Sequence, residues 1–374
     1  MAKAVYVGVG SKARKMKKAY IGIGGKARKV KKMYIGVGGK ARLCYSAELE
    51  KVGMAAALST TRYDMRAATV GKYALFAGGY ISKSSFGYSV SSSVDAYNTS
   101  LTKSTPTELS CKRCGHAAAS VGGYALFAGG ASSYNLLNFY ENLVSAVDAY
   151  DASLTRSAAH IIGATVAIGG AAVGNYALFA GGTVYSQINK DNVTSDVLAY
   201  DPSLTFTTAP LLSVARANVK GASAGNYALF AGGRAGSFCT TVDAYNASLT
   251  RTTATALSST KNNSAAATVG NHAIFVGNTA SADIYDASLT KTSAAILSTA
   301  RTGLAATTVG DYAIFSGGGV ADFCDASLTR SSIGTSMTGY DMGAATIGDY
   351  ALFAGGYSDE KSVTTYDSVE VYTA

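Results

Sequence analysis

The sequence contains no tryptophan, only three prolines and only three histidines. It also lacks any apolar run approaching the ~18 residues that a membrane helix requires. Its apolar stretches are short, as in Tyr73-Ala-Leu-Phe-Ala77, so no membrane insertion is expected. Five cysteines at irregular positions form an odd set without framework spacing, which argues against a disulfide-stapled secreted fold and fits synthesis in a reducing cytoplasm. Acidic residues are absent from residues 1–43, which hold 13 Lys and Arg. The remainder carries 19 basic and 23 acidic residues, so the overall charge of +9 conceals two electrostatically different parts. The first apolar run is too short for a secretory signal and is followed by lysines, so export by that route is not expected.

What is abundant is glycine, at 42 residues, and tyrosine, at 25. Both favour short strands and tight turns over helices. One heptapeptide recurs seven times, at Tyr73–Gly79, Tyr124–Gly130, Tyr176–Gly182, Tyr227–Gly233, His272–Asn278, Tyr312–Gly318 and Tyr350–Gly356. The spacings run from 52 down to 38 residues, which brackets the ~40–50 of a four-stranded propeller blade.

The order within each unit is constant. A run of small residues such as Ala265-Ala-Ala-Thr-Val269 is followed by a Gly-containing turn, then Tyr-Ala-Leu-Phe-Ala-Gly-Gly, then a variable segment. A third run follows, such as Val147-Asp-Ala-Tyr150 with its turn Asp151-Ala-Ser-Leu-Thr155, and a fourth such as Thr252–Leu257. We denote these strands a, b, c and d. Strand d often leads into Leu-Ser-x-x-Arg/Lys, as at Leu58–Arg62, Leu109–Arg113, Leu257–Lys261 and Leu297–Arg301. Small residues in strand a suit the innermost position, where seven sheets would crowd around an axis. The last unit stops after strand c, while residues 47–58 read as a strand d without a blade. Their pairing would clasp the two ends together and cover two sheet edges. The predicted fold is therefore all-β: a seven-bladed propeller over residues 46–374 with an N-terminal strand clasp, preceded by short β-hairpin repeats in residues 1–45.

The apolar strand ending in Gly-Gly, the Tyr-Asp pair and the strand leading to Arg resemble the kelch repeat over roughly residues 46–374. The match departs from that family where Leu-Thr replaces the tryptophan that usually opens strand d. It also departs in the later units, at His272-Ala-Ile-Phe-Val-Gly-Asn278, Ala321-Asp-Phe-Cys324 and Val369-Glu-Val-Tyr372. Kelch propellers occur in sugar oxidases and isomerases as well as in binding proteins, so the resemblance implies a fold and no particular activity.

A second repeat has a strict period of 14 and is headed by Tyr6, Tyr20 and Tyr34, with Arg14, Arg28 and Arg42 closing its Lys-Ala-Arg motifs. A β-branched run, a Gly-Gly or Gly-Ser pair and a basic run read as three consecutive hairpins. Each is too small to be stable alone, so the arm is expected to anchor the chain to copies of itself or to another assembly. The Tyr-Ile-Gly-x-Gly-Gly-Lys-Ala-Arg pattern resembles N-terminal repeats of phage and prophage structural proteins of Gram-positive bacteria. That resemblance implies a virion location, with other virion proteins as partners of the arm and a homo-oligomeric state. The basic strands could also meet nucleic acid or an anionic polymer, but their lysines alternate with apolar residues, and nucleic acid is not the expected partner.

The segments between strands b and c vary most. They are long at 80–93, 131–146, 183–196 and 357–368, and nearly absent from the fifth and sixth units. In a propeller they share a face with the d–a connections, and the long ones would cluster on one side. They supply Tyr80, Phe86, Tyr88, Tyr134, Asn135, Phe139, Tyr140, Tyr185, Gln187, Asn189 and Tyr357, a mixture of rigid aromatic and adaptable polar groups suited to binding a host surface protein or glycan, or a neighbouring virion protein. The alternative is that these aromatics only cover the sheet ends.

Catalytic, metal and cofactor sites are not expected. Cys111-Lys-Arg-Cys114 lacks a second pair, and His116 would be only a third ligand where zinc usually takes four. Asp151, Asp201, Asp286 and Asp325 recur at one turn and so stand apart, which fits hydrogen-bonded turns better than acid–base chemistry. His116, His160 and His272 fall at unrelated positions, and no charged set is expected to converge at one end of the axis. The expected function is thus non-enzymatic recognition in a phage particle. An intracellular protein–protein scaffold and a carbohydrate enzyme are the alternatives.

Overall fold

The computed structural model describes residues 6–9, 12–15, 19–23, 26–30, 32–37, 40–46, 48–84, 87–135, 139–160, 162–163, 165–184, 192–261, 265–358 and 364–374. Among these there is no helix; the chain is all-β. Among the described residues before Glu48, strands pair two by two: Tyr6–Val9 with Lys12–Lys15, Tyr20–Ile23 with Lys26–Lys29, and Lys32–Val37 with Lys40–Ser46.

The rest is built of small antiparallel sheets. Seven four-stranded ones share one strand order, with strands a beginning at Arg66, Ala117, Gly169, Lys220, Ala265, Ala305 and Gly343. In the first six, strands a to d follow one another along the chain. In the seventh, Gly343–Ile347, Tyr350–Ala354 and Val369–Thr373 are completed by Glu50–Ala55, which pairs with Val369–Thr373. The segment expected to clasp the array is thus its final outer strand. Each sheet is open, and strand a packs against strand a of the next. The seventh packs against the first.

Recurrent residues explain this stacking. Strand b is buried almost throughout, as in Ala74, Leu75, Phe76 and Ala77, because both its faces meet neighbouring sheets. The strand-c tyrosine is fully buried and crosses the strand-b phenylalanine edge-on, at 5.9 Å for Phe76–Tyr97 and Phe127–Tyr150, a favoured aromatic geometry. Its hydroxyl donates to the chain arriving from the preceding sheet: Tyr97 to Ala56 O at 2.7 Å, Tyr150 to Thr107 O at 2.8 Å and Tyr245 to Pro210 O at 2.8 Å. The Gly-Gly pair is required by a close approach. Gly78 has φ +63°, and a Cβ there would lie 2.6 Å from Arg113 O, a conformation and a space open only to glycine. The Asp turns are as expected, with Asp151 Oδ1 accepting from the Ser153 and Thr155 amides at 2.9 Å each.

The Leu-Ser-x-x-Arg motif has a structural role that its sequence did not disclose. Arg62, Arg113, Arg216, Lys261 and Arg301 insert beside the strand-c carboxylates Asp95, Asp148, Asp243, Asp283 and Asp322. A basic residue of strand d flanks each carboxylate, as Arg251 does Asp243 at 3.1 Å. The third sheet has Thr165, Leu198 and Phe206 at these three places. Charge is absent there as a set, as expected when a lone buried charge is costly.

Hydroxyls on strand a tie the sheets together. Ser120 donates to Thr69 O (2.7 Å), Thr69 to Thr346 O (3.2 Å), Thr346 to Thr308 O, Thr308 to Thr268 O, Thr268 to Ser223 O (3.0 Å) and Ser223 to Ala172 O (2.8 Å). Ala172, at the same position in the third sheet, has no hydroxyl to donate to Ser120 O. Supplying it with Ala172→Thr is expected to raise stability by about 0.5–1.5 kcal/mol, read from urea unfolding. An unchanged or lower midpoint would show that the hydroxyls do not bind the sheets together.

Candidate functional site

The variable b–c segments lie beside the d–a connections, as the bridges Tyr63↔Tyr80, Cys114↔Ala131, Ala217↔Arg234 and Tyr340↔Tyr357 show. In the first two units they are not loops. Tyr80–Ser84 pairs with Gly87–Val90, and Ala131–Asn135 pairs with Phe139–Leu143. The two hairpins join through Gly87↔Asn135 and Tyr88↔Tyr134 into one additional four-stranded sheet. The aromatic and β-branched residues of Tyr80-Ile81 and of Tyr88-Ser-Val90 were the available signal for strands. That two hairpins from different units would pair was not legible locally.

Tyrosines of this sheet and of the adjoining connections form a continuous run. Ring centroids are 6.1 Å apart for Tyr340–Tyr357, 4.8 Å for Tyr357–Tyr63, 5.1 Å for Tyr63–Tyr80 and 5.2 Å for Tyr80–Tyr88, while Tyr134 lies 5.1 Å from Tyr88 and 5.9 Å from Tyr80. Four of the residues singled out from sequence, Tyr80, Tyr88, Tyr134 and Tyr357, are therefore brought together. Tyr63 and Tyr340, from the d–a connections, were missed. Tyr80 is buried and belongs to an apolar cluster with Tyr63, Val90, Cys114, Ala131 and Val166, whereas Tyr88, Tyr134 and Tyr357 remain half-buried. Burial raises the pKa of Tyr63 and Tyr134, and it pushes the Cys114 thiol up to about 12, so that cysteine is no nucleophile at neutral pH.

Asn135, Phe139 and Tyr140 lie on strands of the additional sheet. Phe86, Tyr185, Gln187 and Asn189 lie outside the described residues. On the hairpin arm Tyr6, Arg14, Arg28 and Arg42 fall on strands, and Tyr20 and Tyr34 are exposed, at 59% and 58%. Among the described residues no group of three or more His, Cys, Asp or Glu is placed to hold a metal ion.

A charged set does converge at one end of the axis, contrary to expectation. Strand a begins there, beside the d–a connections. The residue opening strand a is Ala or Gly in five sheets, but Arg66 in the first and Lys220 in the fourth. Arg66 donates to Asp64 Oδ1 at 2.8 Å and to His116 O at 2.9 Å. Asp64 and Asp341 stand at the same place in successive connections, at φ +51° and +49°, and the Asp64 amide donates to Asp341 O at 2.7 Å. Lys220 interacts electrostatically with Arg66, Asp64 and Asp341. Below the rim lies an axial cavity of about 410 Å³, lined mostly by alanine, serine and threonine residues of the seven strands a.

His116 packs beneath this rim, fully buried, near Phe127. Burial first, and the positive charges of Arg113 and Arg66 next, hold its pKa well below 6.5. The folded state therefore keeps His116 neutral where the unfolded chain takes up a proton, so stability is full above pH 6.5 and falls as the pH drops below it. The expected slope from this group is about 1.4 kcal/mol per pH unit. Urea unfolding between pH 5 and 7 should show His116→Phe with a shallower acid slope than the parent; equal slopes would contradict the assignment.

Comparison with protein-family models and with curated proteins finds no match for this chain.

Proposed function

We propose that this chain is a non-enzymatic recognition protein, a kelch-like β-propeller of seven blades that presents a binding surface on the face carrying its b–c segments. The observation that carries this reading is the additional sheet that supplies half of the tyrosine run. Segments that shrink to tight turns between Val276 and Ser281 in the fifth sheet and between Gly317 and Val320 in the sixth are expanded in the first two into paired hairpins. Such a surface is held by strand pairing and rich in aromatic and hydroxyl groups, which limits the conformational entropy lost on binding.

More particularly, we assign the chain to the structural proteins of a phage or prophage particle. The arm would fix it to other virion proteins, and the propeller face would meet a host surface protein or glycan, or a neighbouring virion protein. The arm's 13 cations, its missing acids and its exposed Tyr20, Ile21 and Tyr34 support an attachment role.

Light scattering of the full chain beside a chain beginning at Cys44 tests this reading. Assembly of the full chain alone, strengthening as salt rises, would mean that arms associate with one another, because salt screens their mutual repulsion. Retention on isolated particles that weakens with salt would mean docking into an anionic socket. A chain that neither self-associates nor binds particles through its arm would overturn the proposal.

A further inference from the structure

The two hairpins of the additional sheet spring from Gly-Gly pairs, Gly78-Gly79 before Tyr80 and Gly129-Gly130 before Ala131, and His116 is wedged between these two roots. A Cβ on Gly78 would lie 2.7 Å from His116 Cε1, and one on Gly130 would lie 3.0 Å from His116 Cβ. The connection that carries His116 also pins the roots. The Gly79 amide donates to Arg113 O at 2.9 Å, and Cys114 and Ala131 exchange backbone hydrogen bonds at 3.0 Å. His116 is fully buried, and neither ring nitrogen makes a hydrogen bond. The Ala77 backbone, which favours a charged ring, does not reach hydrogen-bonding geometry. Three cations surround the ring: Arg113 on its own connection, Arg66 of the first strand a, which donates to His116 O, and Arg62, which reaches Gly78 O at 3.5 Å from the connection before the first sheet. Their carboxylates, Asp148, Asp64 and Asp95, are bound to those guanidiniums. Cys114 keeps its thiol proton, and Phe127 closes the side of the second sheet.

A proton on this ring would add a fourth positive charge beside three guanidiniums, with no acceptor for its N–H groups, and that cost is relieved when the ring reaches water. To reach water the ring has to leave the space between the two Gly-Gly pairs. We propose that His116 is an acid-operated latch on the additional sheet: at neutral pH its uncharged ring lets the hairpin roots close around it and the hairpins pair, and in mildly acidic solution its protonation parts them, so that Tyr88 and Tyr134 lose their shared surface. The other two histidines stand elsewhere, His160 stacked on Phe206 at 4.6 Å and His272 opening strand b of the fifth sheet. The closed joint holds the ring far from protonation, whereas the opened one takes up its proton near the ordinary histidine pKa of 6.5. The closed form is therefore favoured above pH 6.5 and loses ground as the pH falls below it, and the opened fraction should rise about 25-fold from pH 7 to pH 5. The latch governs the shape of the sheet, whatever partner that surface takes.

Thiol trapping on the full chain with dithiodipyridine, which reacts with cysteine in mild acid, tests the latch. Cys114 at the joint and Cys324 in the sixth sheet are both fully buried, and burial pushes both thiols up to about 12. Their intrinsic reactivities thus change alike with pH, and the ratio of Cys114 to Cys324 labelling, read by mass spectrometry, isolates opening at the joint. That ratio is expected to rise about 25-fold from pH 7 to pH 5, and to stay level in His116→Phe and in the smaller, equally uncharged His116→Gln. Hydrogen exchange of the parent, corrected for intrinsic rates, should show the same loss of protection in Ala131–Asn135 and none in Ala305–Val309. A parent ratio that does not move, Cys324 labelling that rises in step with Cys114, or an acid response that persists in either folded variant would each overturn the proposal. Neither arm-mediated assembly nor particle retention enters these measurements, so the latch and the virion reading fail separately.

Discussion

Replacing Arg216 with methionine is expected to destabilise the protein by about 3 kcal/mol, the lower end of what breaking a buried ion pair costs. Arg216 and Asp243 are fully buried and 2.9 Å apart. Removing the guanidinium leaves a carboxylate that still receives Arg251 at 3.1 Å and the Ser213 hydroxyl at 3.0 Å, which is why the upper end of the range is not expected. The third sheet shows how the same site is built without charge, with Thr165, Leu198 and Phe206 at the places of Arg216, Asp243 and Arg251. The triple variant Arg216→Thr, Asp243→Leu, Arg251→Phe should therefore recover most of the stability lost in Arg216→Met. The reason is that a matched apolar set carries no desolvated charge, and members of one network are not additive. Urea unfolding of the parent and both variants measures this. A triple variant no more stable than Arg216→Met would mean that the triad is required for packing and not merely balanced in charge.

Removing the strand Glu50–Ala55 is the second large perturbation. A chain beginning at Glu48 retains that strand and the buried Leu49, and it should unfold cooperatively with a midpoint close to that of the full chain. A chain beginning at Ala57 loses the outer strand of the seventh sheet and exposes the edge of Val369–Thr373. It also removes Lys51, which pairs with the fully buried Glu370 at 2.5 Å, and Ala56 O, which accepts the Tyr97 hydroxyl. Leaving Glu370 without its cation alone costs about 3–5 kcal/mol, so the melting midpoint should fall by about 5–10 °C for a domain of this size. The exposed edge should also promote association. Calorimetry of the two truncated chains provides the measurement. Equal midpoints would mean that the first and seventh sheets hold together without the N-terminal strand.

Much of the architecture was legible because it is local. The alternation of Tyr73-Ala-Leu-Phe-Ala-Gly-Gly79 with small-residue runs and Asp turns sets backbone conformation through near neighbours, so strands, turns and their order followed from spacing. The orphan strand d at residues 47–58 was legible as well, because the final unit visibly lacked one. The role of the arginine after Leu-Ser-x-x was not, since its aspartate lies on strand c of the following sheet and the motif carries no mark of its partner. Nor could spacing show that the insertions at Tyr80–Val90 and Ala131–Leu143 would pair with each other, because each by itself is consistent with a free loop.

The sequence by itself thus determined the repeating all-β units, the basic and acid-free character of the arm, and the segments that vary. Only the tertiary structure decided which residues of different units face one another: the tyrosine run from Tyr340 to Tyr134, the shared sheet that carries part of it, and the pairing of Arg66 with Asp64 and with His116 O of the next unit. The physical reason is that strand formation depends on the order of neighbouring residues, whereas these meetings depend on sheets packing in succession until residues far apart in the chain stand side by side.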